Sequence, residues 1–242
     1  MVRLVLFATF AAALVAATVA PSHAFAVARA DAVDDELRAY DQLLKPTGDA
    51  LAAIKCDARD CVPALLAAMR GHDQAIRRGV QTIKLECEKL DEAAKKRCAD
   101  GVQKRSDQSD RANSERLKQI VDKYGWPSTK EFGEAAEAAA WLIALHADHD
   151  RPFQRHVLQL LERSTASGES PERHRAFLYD RIAVADHKPQ RWGTQGRCVA
   201  NKWEPFPIED ADTVDQRRSA AGMAPMATYR SAVDPTSCAG KN

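Results

Sequence analysis

Between His146 and Gln195 the chain places side chains that can move protons or hold polar ligands at positions whose neighbours are apolar. His146, Asp148, His149 and Asp150 close an alanine-rich stretch, Asp180-Arg181 follow a second apolar run, and Gln190-Arg191-Trp192-Gly193-Thr194-Gln195 come last. Burying such groups is costly unless they pair with one another or with a ligand. As acid/base chemistry, the set reads with His146 as general base and Asp148 or Asp180 as its carboxylate partner. Gln154, Arg181, Gln190, Trp192, Thr194 and Gln195 would then bind the substrate. As pure recognition, the same residues form a noncatalytic binding site. Each also has a structural use: His146 bonded to a backbone carbonyl, Asp148 and Asp150 as helix caps, Asp180-Arg181 as an ion pair, and Gln190, Thr194 and Gln195 satisfying strand edges.

Familiar catalytic signatures fail. His146-Ala147-Asp148-His149 matches the last half of the metallo-β-lactamase pattern H-x-H-x-D-H, but Ala144 stands where the first histidine belongs and the segment reads as helix. There is no H-E-x-x-H, no G-x-S-x-G and no Walker loop. No metal or cofactor is implied, and the expected partner is a polar small molecule, a glycan or a peptide.

The elements that must position these residues are mainly helical. Val33, Leu37, Tyr40 and Leu44 recur at helical spacing, with Pro46-Thr47-Gly48 as the expected stop. A second helix starts near Pro63 and buries Leu66, Met69, Ile76, Val80, Ile83 and Cys87, and Asp91 caps a third. Gln103 to Arg116 has only Ala112 as an apolar residue, so it is either a solvated helix or a linker, and the domain boundary is placed near 110. Ser128 to Glu131 fits the capping box that opens the alanine-rich helix, which is apolar nearly all round and therefore central. Asp150-x-Pro152 and Ser170-Pro171 open two more helices. From Arg181 the period reads as strand, with a turn at 186–189, a return strand at 190–195 and a further strand pair over 198–206. Asp212 caps a last helix ending at Gly222. The expected fold is mainly α with a small antiparallel β-meander, preceded by a disulfide-stapled helical hairpin.

These residues carry a resemblance. Gly125-Trp126-Pro127-Ser128, Trp141, His146-Ala147-Asp148, Gln154, Tyr179-Asp180-Arg181, the 190–195 run, Pro207-Ile208-Glu209-Asp210 and Val214-Asp215-x-Arg217-Arg218 through Gly222 to Tyr229 resemble the bacterial domain of unknown function 6624 family. The resemblance covers roughly residues 115 to 230. It departs at Trp192, where tyrosine is expected, and at Met223, where leucine is expected. It implies one compact domain built around these polar positions and no activity that carries over; the N-terminal cysteine-bearing hairpin lies outside it.

Location follows from the ends and the cysteines. Met1-Val2-Arg3, the acid-free apolar run Leu4 to Ala20 and the small residues Ser22 and Ala24 read as a signal peptide over 1–24, with the mature chain starting at Phe25. The run is at the lower limit for a membrane span, about 17 residues, and no later segment reaches it. The expected organisation is thus 1–24, 25–110 and 111–242. Cys56, Cys61, Cys87, Cys98, Cys198 and Cys238 all follow the leader, and an even count in an exported chain reads as disulfides. Spacings of C-x4-C and C-x10-C suit zinc poorly. Sequential pairing, Cys56–Cys61, Cys87–Cys98 and Cys198–Cys238, is expected, in a periplasmic or secreted protein. Thirty-five basic against 34 acidic residues leave a formal charge of +1, without the positive field that nucleic acid requires.

Overall fold

The computed structural model describes residues 22–200, 202–233 and 238; most of the expected signal peptide, residues 1–21, lies outside them. The chain is mainly helical, with nine α-helices and one antiparallel strand pair among the described residues. Three long helices come first: α1 (Ser22–Ala53), α2 (Val62–Cys87) and α3 (Glu92–Tyr124). α1 runs through Pro46, where the sequence led us to expect its end. Proline removes one helical donor; the Thr47 hydroxyl donates to the Leu44 carbonyl at 3.0 Å, and Leu51, one turn beyond, is buried in the core. Asp91 caps α3 as expected, accepting from the amides of Ala93 and Ala94.

The stretch 103–116 takes the helical of its two readings, and position 110 lies inside the unbroken α3. It is not fully solvated. Ser106, Asn113 and Ser114 are buried, and small polar residues bring α3 close to its neighbours while Ser106 and Ser114 donate to the carbonyls one turn back. Arg105 ties this helix to α1 by two bonds to Asp41, at 2.6 and 2.7 Å.

A single turn, α4 (Thr129–Phe132), precedes the central α5 (Glu134–His146). Two features differ from expectation. Gly133, at φ 86°, separates these helices, and the Ser128 hydroxyl makes no capping bond; the Thr129 amide donates instead to the Glu169 carbonyl. α5 is central as expected. Ala136, Ala139, Ala140, Ile143 and Ala144 are buried, in one core with Leu66 and Met69 of α2, Leu117 of α3 and Leu161 and Leu178 beyond. α6 (Arg151–Ala166) is capped by Asp150, which accepts from the Phe153 amide at 3.0 Å.

α7 (Glu172–Ala185) continues through the segment that reads as a strand. In it His174, Ala176, Leu178, Asp180 and Ile182 are buried alternately, because the helix is covered on two sides, and burial on two sides imitates the period of a strand. Nor is 190–195 a strand. It is a loop with one parallel bridge, Gln190 to Ile208, and Gly193 at φ 68°. A Cβ at Gly193 would lie 2.7 Å from the Met226 sulfur and 2.8 Å from Ile208 Cδ1, so both conformation and space require glycine. The expected strand pair is present as β1 (Gly196–Val199) and β2 (Lys202–Pro205), paired antiparallel with Cys198 opposite Trp203. α8 (Val214–Ala220) and α9 (Met226–Ala232) follow; Gly222 takes the left-handed position, while Asp212 lies in a 3-10 turn before α8 and does not cap it.

All three expected disulfides are formed: Cys56–Cys61, Cys87–Cys98 and Cys198–Cys238. Cys87–Cys98 staples α2 to α3 beside a second core of Val33, Tyr40, Leu44, Ile76, Ile83 and Val102. Replacing both cysteines by alanine should cost about 2 to 3 kcal/mol, from loop-closure entropy. Calorimetry should show a melting point roughly 5 to 10 °C lower; an unchanged melting point would show that the helices hold the turn without the bridge.

Candidate functional site

The polar residues that the sequence singles out are divided between two sets of bonds. In the first, the Asp180 carboxylate is fully buried and accepts from the Arg191 amide at 2.7 Å, the Trp192 amide at 3.1 Å, and the Thr194 amide and hydroxyl, each at 3.0 Å. Burial pushes this carboxyl up, and the donors pull it back without cancelling that effect. Gln190, also fully buried, donates to the carbonyls of Gln195 (2.7 Å) and Phe206 (2.9 Å) and accepts from the Gln195 amide (2.8 Å). Asp180 and Gln190 thus use their polar atoms to fold the 190–195 loop. Two arginines of α8 close it from outside: buried Arg218 donates to the Trp192 carbonyl at 2.6 Å and Arg217 to the Arg191 carbonyl at 2.8 Å. Trp192 packs inside, its indole N–H on the Arg217 carbonyl.

This set extends outward. Thr194 Oγ1 accepts from Gln195 Nε2 at 3.1 Å, Gln195 Oε1 accepts from Arg181 at 3.1 Å, and Arg181 grips both carboxylate oxygens of Asp148. Burial pushes Asp148 up, but the bond and charge of Arg181, with Arg151 and Gln154, hold it below its ordinary range. Gln154 is buried and donates to the carbonyls of Ala144 (3.1 Å) and Leu145 (3.2 Å), closing the C-terminus of α5.

His146 belongs to the second set, with residues absent from our sequence reading. Its Nδ1 lies 2.8 Å from Oδ1 of Asp73, a carboxylate only 1% exposed on α2. Burial raises Asp73, yet the bond and charge of His146, with Arg77 and Gln74, bring it below its usual range. An ionised carboxylate can only accept, so Nδ1 carries a proton, and in the neutral imidazole the lone pair is on Nε2. Nε2 makes no hydrogen bond among the described residues, and the imidazole side chain keeps 18% of its exposure. Asp148, expected to orient His146, is bonded to Arg181 instead. Arg77 bonds Asp73 at 3.2 Å and Asp110 at 2.6 Å. Burial drives Asp110 above its ordinary range in spite of Arg77. Asp73, Asp110 and His146 offer ligand-type atoms within 4.8 Å of one another, but the guanidinium already supplies the cation that both carboxylates share.

Asp73 was legible in principle. Leu66, Met69, Asp73 and Ile76 follow helical spacing, so this aspartate interrupts an apolar stripe. A second missed residue pair is Glu137 with His174. His174 is buried, its Nδ1 2.7 Å from Glu137 Oε2 and its ring stacked on Trp141 at 4.2 Å. Asp, Glu and His on buried helix faces are the signal in each case.

The fold and these two polar sets define a disulfide-bridged helical domain with a loop organised around one buried aspartate. The chain belongs to a family of unknown function (DUF6624), whose sequence model matches residues 61–237. That span is longer than the motifs alone indicate. It includes α2, α3 and the Cys87–Cys98 hairpin, and with them Asp73, Arg77 and Asp110. No curated protein and no solved structure matches the chain.

Replacing Asp180 by alanine should strand three buried amides and cost about 3 to 5 kcal/mol. Hydrogen exchange should show protection lost at Arg191, Trp192 and Thr194. Retained protection and stability would mean that the loop holds its shape without the carboxylate.

Proposed function

We propose that this is an exported protein in which His146, oriented by Asp73, performs acid/base chemistry on a polar component of the cell envelope, a glycan or a peptide, in a hydrolase-like reaction. The observation that carries the reading is the 2.8 Å bond from His146 Nδ1 to buried Asp73, which fixes the ring and leaves Nε2 as the base. In the hydrolysis, Nε2 takes a proton from water as the water oxygen bonds to the electrophilic carbon. The imidazolium, held by the Asp73 carboxylate, then returns that proton to the leaving oxygen or nitrogen as its bond to carbon breaks. Asp148, Arg181 and Gln195 border the helix end that carries His146 and serve as positioning residues, with Thr194, Asp180 and Gln190 fixing the loop behind them. Gln154 holds the carbonyls beside His146, and Trp192 anchors the loop.

Export rests on the basic start and apolar run of the leader. Three disulfides agree with a periplasmic or secreted location. No helix among the described residues is long and apolar enough to cross a membrane.

The test is turnover by the protein starting at Phe25, offered a panel of envelope glycan fragments and peptides, with products followed by mass spectrometry. His146→Gln should reduce the rate by about 100-fold or more, and Asp73→Asn by a smaller factor, each measured per folded molecule. Equal turnover by His146→Gln, or no turnover of any panel member by the parent protein, would contradict the proposal.

A further inference from the structure

On the face of α2 next to Asp73, helices α1, α2 and α3 surround a cavity of about 590 Å³. Its walls include Leu44, Leu51 and Ile76. Asn113 of α3 also lines it. This side chain is 1% exposed, and its Nδ2 has no hydrogen-bond partner. An unmatched buried donor is destabilising by about 1 to 3 kcal/mol, which an acceptor inside the cavity would relieve.

The charges at the mouth are unevenly matched. Asp41 holds Arg105, and Asp49 holds Lys45 at 2.5 Å. Arg116, the third cation of the lining, has no ion-pair partner among the described residues. His72 also faces the cavity, its Nδ1 2.9 Å from the Thr47 hydroxyl, and burial pushes it down toward the neutral form. Beside the neutral Gln42, Gln108 and Ser109, the unpartnered buried amide of Asn113 and the unpaired guanidinium of Arg116 are both donors, above an apolar floor. A site of this volume and composition suits a small molecule.

We propose that this cavity binds an apolar small molecule ending in a carboxylate, such as a free medium-chain fatty acid, with the chain against Leu44, Leu51 and Ile76 and the carboxylate on Asn113 and Arg116. An esterified chain lacks the anion that Arg116 and Asn113 would recognise, and a cationic amphiphile would meet an unpaired cation. The inference does not depend on His146 chemistry.

Isothermal titration of the mature protein with sodium decanoate, and separately with decyltrimethylammonium, both below micelle formation, tests it. Decanoate should bind at one saturable site and raise the melting point, while the cation should not. Arg116→Ala and Asn113→Ala should each weaken decanoate by about tenfold or more, the loss expected for a hydrogen bond to a charged group. Arg116→Ala should leave the melting point of the free protein unchanged, so it decides the matter if Asn113→Ala fails to fold. No decanoate binding, equal binding of the cation, or parent-like affinity in the Arg116 variant would overturn the proposal.

Discussion

A single buried carboxylate, Asp73, fixes the relation of three helices. It sits in the apolar stripe of α2, accepts from the imidazole at the end of α5, and shares Arg77 with Asp110 of α3. Isolated charge in such a place is costly, and removing one partner of a buried pair typically costs about 3 to 5 kcal/mol. The geometry of His146 follows from this requirement. Its ring cannot turn away without taking from Asp73 the shortest of its side-chain hydrogen bonds, 2.8 Å against 2.9 Å to Gln74 and 3.2 Å to Arg77, and on the proposed reading the ring nitrogen opposite Asp73 is the base. The proposed function and the packing thus share one bond, where the first core, built on α5, adjoins the second, between α1, α2 and α3.

The second polar centre works by the same rule and has a different outcome. Asp180 is as buried as Asp73, but its partners are backbone amides and a hydroxyl, not a titratable side chain. Such a carboxylate is a folding device: it replaces the ladder that a strand would have supplied to residues 190–195. Arg217, Arg218 and the close approach of Met226 to Gly193 explain why this loop depends on elements more than twenty residues further along the chain. The outward chain through Thr194, Gln195, Arg181 and Asp148 carries that rigidity to the helix end beside His146.

Much of the architecture was legible in the sequence. The helical class, the three disulfides, the central place of the alanine-rich helix and the strand pair after Gln195 follow from periodicity, cysteine spacing and composition. Local pattern misleads where tertiary burial sets the period, as in α7, or where burial of the next turn carries a helix past a proline, as Leu51 does beyond Pro46. The polar residues of 146–195 were found, but their division was not, because spacing along the chain does not say that His146 turns toward α2 while Asp148, two residues on, turns toward α7. Asp73 was passed over because a lone aspartate among helix formers reads as solvated unless its exact place on the apolar stripe is weighed.

The central claim, that Asp73 holds the imidazole of His146 with Nδ1 protonated and Nε2 free, is tested most directly by nitrogen NMR of labelled histidine in the parent protein and in Asp73→Asn. The account predicts the Nδ1–H tautomer for neutral His146 in the parent, with a hydrogen-bonded proton coupled to Asp73, and a change in both ring-nitrogen shifts in the variant. An Nε2–H tautomer in the parent, or the same His146 signals in a folded Asp73→Asn protein, would contradict it.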